Sequence, residues 1–365
     1  MNDATTGSSR QDQFAGTKDV ADTHRFDEKR LADYMEAHVE GFKGPLTVKQ
    51  FKGGQSNPTY QLITPTHKYV MRRKPPGKLL PSAHAVDREY KVITALHNAG
   101  FASPRTYCLC EDDSVIGTMF YIMDMVEGRI LWEPLLPGQE PATRWKIYES
   151  LNTTLAHLHT IDYQKAGLGD FGKPGNYFAR QVSRWTKQYV ASETETIVEV
   201  NKLMEWLPEN IPADDAVSVV HGDYRLDNTV LHLTEPKVVA VLDWELSTLG
   251  HPLADFTYSC MQWIMPDDGT GAGSGSIQGA DLKSLGIPTL DDYIKIYCER
   301  TNRSGIDNLD FYFAYNLFRL VGIMQGIVGR IRDGTASSAH AKNVERTIRP
   351  LAQEGWRYAQ RAGAK

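Results

Sequence analysis

The sequence predicts an α+β protein in two lobes, a small antiparallel sheet with one helix against it followed by a mostly helical body. Three observations carry this. Strand-like segments cluster before residue 124, helical periods dominate beyond Gly128, and two short apolar strands that each end in a carboxylate interrupt the helical half. The expected organisation is a disordered tail over residues 1–24, an N-terminal lobe over 25–124 and a C-terminal lobe over 125–365.

Residues 1–24 are polar, rich in Ser, Thr, Asp and Gly, and without hydrophobic period. Asp27 can cap a helix whose apolar positions Leu31, Tyr34, Met35, His38 and Phe42 repeat at helical spacing. Strands follow at 46–51, 59–63 and 69–72, then a helix over 83–99 and strands near Tyr107 and Phe120. The second half predicts helices over 142–160, 177–190, 197–207, 254–265, 290–301, 311–331 and 341–361. The Gly/Ser-rich run 267–280 reads as a mobile loop.

Composition narrows the class. At 365 residues, 41% hydrophobic and 23% charged, the chain is long enough for two cores and ordinary for a globular protein. A net charge of −5 with no Lys/Arg-rich run argues against nucleic acid or an anionic membrane as partner. No apolar run approaches a membrane span and the N-terminus lacks a signal-peptide core, so a cytoplasmic protein is expected. Cys108, Cys110, Cys260 and Cys298 form no C-x-x-C pair and sit in apolar segments, as reduced core residues would.

The chemistry lies at the two interrupting strands. Residues 217–220 lead into His221-Gly222-Asp223-Tyr224-Arg225-Leu226-Asp227-Asn228, and residues 238–242 lead into Asp243-Trp244, fifteen positions after Asn228. Phosphoryl transfer from ATP needs a carboxylate at the attacking hydroxyl and oxygen ligands for Mg²⁺. Asp223, Asn228 and Asp243 supply that set. The interval from Asp223 to Asn228 is that of the kinase catalytic loop H-R-D-x-x-x-x-N with Gly in place of Arg, and Asp243 stands where the D-F-G Asp would. A satisfied polar turn is the plain alternative. A metal-dependent hydrolase built on His221, Asp223 and His232 is another, without H-x-H or H-E-x-x-H spacing behind it.

The N-terminal strands supply a nucleotide side. Between the first two lies Gly53-Gly54-Gln55-Ser56-Asn57, where glycine backbone can approach phosphate and Ser56 and Asn57 can donate; a plain hairpin turn fits equally well. Tyr69-Val70-Met71-Arg72 sits where a kinase carries V-A-I-K, so an Arg72–Glu89 pair would hold a cation against the phosphates, with Arg73 and Lys74 as rivals. The apolar strand that ends in Asp124-Met125-Val126-Glu127-Gly128 reads as a hinge, with adenine held by the carbonyl of Asp124 and the amide of Val126.

On these residues the chain resembles the aminoglycoside phosphotransferase family, from about Phe26 through the helical half, most specifically in His221-Gly222-Asp223 to Asn228 and Leu242-Asp243-Trp244. The resemblance implies a protein-kinase-like fold, Asp223 as catalytic base, and Asn228 and Asp243 as Mg²⁺ ligands. It also implies Arg225 near the γ-phosphate and Asp255 as a brace for the catalytic loop. His221–Asn228 and Tyr177-Phe178-Ala179-Arg180-Gln181-Val182-Ser183-Arg184-Trp185 are similar to a branch found N-terminal in some acyl-CoA dehydrogenase proteins. That likeness implies a hydroxylated acyl acceptor, a hydroxyacyl-CoA or hydroxy acid, rather than a drug.

The acceptor side carries less signal. Residues 316–365 hold nine basic and three acidic residues, a balance unsuited to a polycationic aminoglycoside. Asn316, Arg319, Ile323, Gly326 and Arg330 share one face of a long apolar helix, a stripe expected to line a cavity. Arg319 and Arg330, with Arg180 on another helix, are the candidate anion ligands; buried satisfied arginine or plain surface charge are the alternatives. His157 and His159 read as packing or capping residues. The reading is an ATP- and Mg²⁺-dependent kinase of a small-molecule hydroxyl, with aminoglycoside phosphorylation and a nucleotide-binding pseudokinase module as alternatives.

Overall fold

The computed structural model describes residues 16–52, 57–75, 84–266, 275–333 and 341–365. Along the first third run β1 (Thr17–Lys18), α1 (Glu28–His38), β2 (Thr47–Phe51), β3 (Thr59–Ile63), β4 (Lys68–Arg73), α2 (Val86–Asn98), β5 (Thr106–Cys110), α3 (Asp113–Ile116) and β6 (Phe120–Asp124). Then come α4 (Pro141–Thr160), α5 (Tyr177–Ser192), α6 (Val198–Glu209), β7 (Ser218–Val220), β8 (Thr229–Leu231), β9 (Val238–Val241) and β10 (Thr248–Gly250). The remainder is helical: α7 (Pro252–Ser259), α8 (Met261–Ile264), α9 (Leu282–Leu285), α10 (Leu290–Arg300), α11 (Leu309–Arg332) and α12 (Ala341–Arg361). The predicted elements are present to within two residues at most ends; the helix expected over 254–265 divides into α7 and α8.

The chain divides into two compact units. The first runs through Trp132 and includes Gln164–Phe171 and Asp227–Ser247; the second comprises Glu133–Tyr163, Gly172–Leu226 and Thr248–Lys365. This corrects the boundary expected at residue 124. Arg129 exchanges both backbone hydrogen bonds with Leu231 at 2.8 Å, and Val241 N–H donates to Ala102 at 2.9 Å, so residues 125–132 and the β8–β9 pair belong with the N-terminal sheet. The expected tail is also shorter. Thr17 pairs with Phe51 and Lys18 with Gln50, while residues 1–15 lie outside the described residues.

In the first unit, six antiparallel strands take the order β1-β2-β3-β4-β6-β5. Alternation along β4 assigns its side chains to opposite faces. Tyr69 and Met71 join Leu31 and Met35 of α1 and Tyr60, Leu62 and Ile122 of the sheet in one apolar core. Arg73 shares that face: it donates to His24 O at 2.9 Å and lies over the rings of Phe26 and Tyr60 at 5.0 and 5.4 Å. Val70 and Arg72 point the other way, into the cavity described below.

The second unit packs around α11, which contacts α5, α6, α7 and α12. By length and composition α11 could cross a membrane, contrary to the expectation from the sequence, but 83% of its most apolar window is buried inside this unit. Its small residues form a seam with α5 rather than a cavity wall. A Cβ at Gly329 would stand 2.6 Å from Ser192 Cβ and 3.2 Å from its Cα, so glycine permits this approach, whereas one at Gly326 would meet only the flexible end of Gln188, at 2.7 Å. The run 267–280 is also less open than expected at its end: Ile277 is buried and its N–H donates to Gln262 O at 2.9 Å, while residues 267–274 lie outside the described residues.

Candidate active site

The first unit bears an open cavity of about 320 Å³ lined by Val70, Tyr121, Met123, Val126 and Trp132, with Arg72, Asn228 and Asp243 on its wall. β8 and β9 bring Asn228 and Asp243 together. They pair antiparallel, Thr229 opposite Val241, and Leu242 N–H donates to Asn228 O at 2.8 Å, so the two oxygen-bearing side chains leave the same end of the hairpin. Asp243 has φ 64° and ψ 62°, a left-handed conformation costly for a residue with a Cβ and concentrated at functional sites.

Arg72 is buried, with Nη1 3.1 Å from Glu89 Oε2 and 3.2 Å from Asp243 Oδ1. The Arg72–Glu89 pair read from the sequence therefore forms, and Arg73 occupies the other face. Glu89 also accepts hydrogen bonds from Asn57 Nδ2 at 2.8 Å and from the Tyr121 hydroxyl at 3.0 Å. Burial alone would push the Arg72 guanidinium down, but the charge of Glu89, with Tyr121 and Asp243, carries it above its ordinary value. Burial raises Glu89 against the pull of Arg72.

Other nucleotide-side residues divide. Asp124 and Val126 line the cavity, and the Asp124 carboxylate is held by Tyr107 at 2.6 Å and His67 at 2.9 Å. Asn57 corrects an expectation: its amide is fully buried and bridges Glu89 and His84 instead of reaching toward phosphate, as a buried polar group must find partners. Gly53, Gly54 and Ser56 lie outside the described residues.

In the second unit, β7 delivers the loop that carries Asp223. Gly222 has φ 85°, which explains why Gly stands where a kinase carries Arg. Asp255, at the start of α7, accepts His221 N–H at 2.7 Å and Gly222 N–H at 2.8 Å. His159 is not a mere packing residue: its Nε2 is 3.2 Å from Asp255 Oδ2 and its Nδ1 is 2.7 Å from the Tyr297 hydroxyl. Burial would raise the Asp255 carboxyl, but His159, through its hydrogen bond and charge, and His221 hold it below the usual range. Its contribution to stability is thus complete above the unfolded carboxylate value of about 4 and is lost as pH falls through the lower folded value. Asp255→Asn should lose about 1–3 kcal/mol of stability at pH 7 and flatten the acid limb of a stability–pH profile; an unchanged acid limb in denaturant titrations contradicts this.

Asp223 Oδ1 accepts the Tyr258 hydroxyl at 2.7 Å and lies 3.4 Å from Arg225 Nε. Arg319 is buried, donates to Gly222 O and lies over the ring of Tyr258 at 4.7 Å. Two of the three arginines read as anion ligands are engaged by backbone carbonyls. Arg319 holds the Asp223 loop, Arg180 donates to the carbonyls of Gly175 and Lys173 before α5, and Arg330 is exposed at the end of α11. The first two satisfy backbone carbonyls that helical periodicity cannot reveal. Tyr258 and His159 are the contributors that sequence reasoning missed, and the one signal for Tyr258 was its place three residues after Asp255.

A sheet-bearing unit with a cation–carboxylate pair beside Asn228 and Asp243, and a helical unit whose Asp223 loop is braced by Asp255, are features of a kinase-like phosphotransferase fold. The phosphotransferase enzyme family model matches residues 47–285, and the chain belongs to that family. It is 53% identical to a provisionally named aminoglycoside phosphotransferase from Ralstonia eutropha of known structure, with TM-score 0.85 over 92% of this chain and 99% of that one. It is 43% identical to mouse acyl-CoA dehydrogenase family member 10 over 91% of this chain and 31% of that protein. It is also 43% identical to rat acyl-CoA dehydrogenase family member 11, over 94% and 45%. The chain thus spans less than half the length of these curated relatives. A spectinomycin phosphotransferase solved with ADP and spectinomycin shares the fold at 11% identity and TM-score 0.58, over 92% of this chain and 99% of that one.

Proposed function

We propose that the protein is an ATP-dependent kinase of a small-molecule hydroxyl, and that its acceptor is an anionic hydroxy acid or hydroxyacyl-CoA. The observation that carries the first part is the cavity whose wall bears Arg72, anchored by Glu89, together with Asn228 and Asp243. Its apolar sides suit a purine and its polar end suits phosphates. An amide and a carboxylate oxygen fit Mg²⁺, which favours oxygen ligands and shares itself between one or two carboxylates and substrate phosphates. Asn228 and Asp243 would hold the ion, whose chemistry there would be to neutralise charge developing on the phosphates.

In this reading Arg72 supports the phosphates and Arg225 adds positive charge near the transferred group. Asp223 orients the acceptor hydroxyl and takes its proton as the oxygen bonds to the γ-phosphorus. The bond from that phosphorus to its bridging oxygen breaks, and ADP leaves with the electron pair. The acyl acceptor draws support from the relatives, whose names refer to acyl-CoA dehydrogenases. We place the reaction in the cytoplasm, a setting that the four free, buried cysteines fit.

One observation favours a second reading, a pseudokinase module: Arg72 already engages Asp243, the proposed metal ligand, at 3.2 Å. Incubation with ATP, Mg²⁺ and a panel of hydroxy acids, their CoA thioesters and aminoglycosides, read by product mass, tests the proposal. A phosphorylated hydroxyacyl product supports it; phosphorylation of aminoglycosides alone overturns the acceptor, and absence of any product overturns the kinase.

A further inference from the structure

Tyr258 and Arg319 come from two different helices, α7 and α11, and converge on the three-residue stretch that carries Asp223. The Arg319 guanidinium donates to Gly222 O, the carbonyl of the peptide that enters Asp223. Tyr258 lies beneath that guanidinium at 4.7 Å, and Trp185 is 5.8 Å away. From this position the Tyr258 hydroxyl reaches Asp223 Oδ1 at 2.7 Å, the same oxygen that Arg225 approaches at 3.4 Å.

Helix packing alone does not call for these groups. Arg319 is 6% exposed, and a guanidinium so buried is costlier than a leucine of similar volume unless its donors and charge are used. Phenylalanine at 258 would fill the same space without a hydroxyl to satisfy. We propose that Tyr258 and Arg319 are positioning residues for Asp223: Arg319 fixes the peptide before it, and Tyr258 fixes the orientation of its carboxylate. The inference rests on the reading of Asp223 as the base of phosphoryl transfer. Burial and the charge of Asp223 hold the Tyr258 phenol well above its ordinary value, so it remains a donor throughout the working pH range.

Tyr258→Phe and Arg319→Lys, with the double variant, test this in the full chain. Two measurements apply: deuterium exchange of residues 221–226, and ADP formation from MgATP with water as acceptor. Each single variant should speed exchange in that segment and lower kcat by about tenfold or more, because a small loss of alignment costs this much, while KM for ATP stays within about twofold. In Tyr258→Phe the loss should fall on kcat and leave KM for ATP in place; a purely structural role would not divide the two. The double variant should lose little more than the worse single one, as expected of residues that act as a unit.

Unchanged exchange with unchanged kcat overturns the proposal. So do independent losses that multiply, or a raised KM for ATP with kcat intact. If Asp223→Asn is inactive while Tyr258→Phe matches the unmodified protein, only this inference fails. If Asp223→Asn keeps full turnover, the functional reading fails as well.

Discussion

Asp223→Asn is expected to keep ATP binding and to lower kcat by roughly a hundredfold or more, the range that general-base and orienting groups contribute. Asparagine preserves the size of the side chain and can still meet the Tyr258 hydroxyl, which now donates to Oδ1 at 2.7 Å, so the loop should keep its conformation. What it loses, on the proposed mechanism, is the ability to accept the acceptor's proton. Nucleotide affinity should not change, because Arg72, Asn228 and Asp243 belong to the first unit and are untouched. Comparison of kcat with the ATP dissociation constant separates these effects. Turnover near that of the unmodified protein would remove Asp223 from the mechanism.

Arg72→Ala should be the most damaging substitution in the sheet. It leaves the Glu89 carboxylate buried without its cation, and removal of one partner of a buried ion pair costs about 3–5 kcal/mol. Asn57 and Tyr121 still donate to Glu89, which places the expected loss toward the lower end. ATP affinity should fall as well. Adding Glu89→Gln to Arg72→Ala should restore much of the stability, since no unpaired charge remains, but none of the affinity. Arg73→Ala provides the contrast: its side chain lies in the α1 core, so stability should fall while ATP affinity holds. Thermal melts and ATP titrations on the three variants check this, and stronger loss of affinity in Arg73→Ala would reverse the assignment.

The parts of this site that the sequence reveals are those whose chemistry demands a fixed interval. Asp223 and Asn228 share one loop, and Asp243 follows the strand that pairs beside it, so local geometry translates directly into spacing. Arg72 and Glu89 are legible for a related reason: strand alternation leaves one of two adjacent arginines on the α2 side. The two-unit division is less legible, because residues 227–247 join the first unit through hydrogen bonds to Arg129 and Ala102, more than a hundred positions earlier. Arg319 shows the other limit. Its burial follows from the apolar helix around it, but its partner, the carbonyl of Gly222, is set by tertiary packing and carries no residue signature. The stripe on α11 reads from the sequence as a cavity wall, but periodicity alone does not tell a cavity from the neighbouring helix that Gly329 admits.

The central claim is that the cavity of the first unit is a Mg²⁺–ATP site, and calorimetric titration of ATP with Mg²⁺ and with a chelator tests it most directly, in the unmodified protein and in Asp243→Ala. Saturable binding is expected with the metal, weaker by at least about tenfold, or 1.4 kcal/mol, when the metal is chelated or Asp243 is replaced. Equal affinity under all of these conditions, or no binding in any of them, would contradict the account.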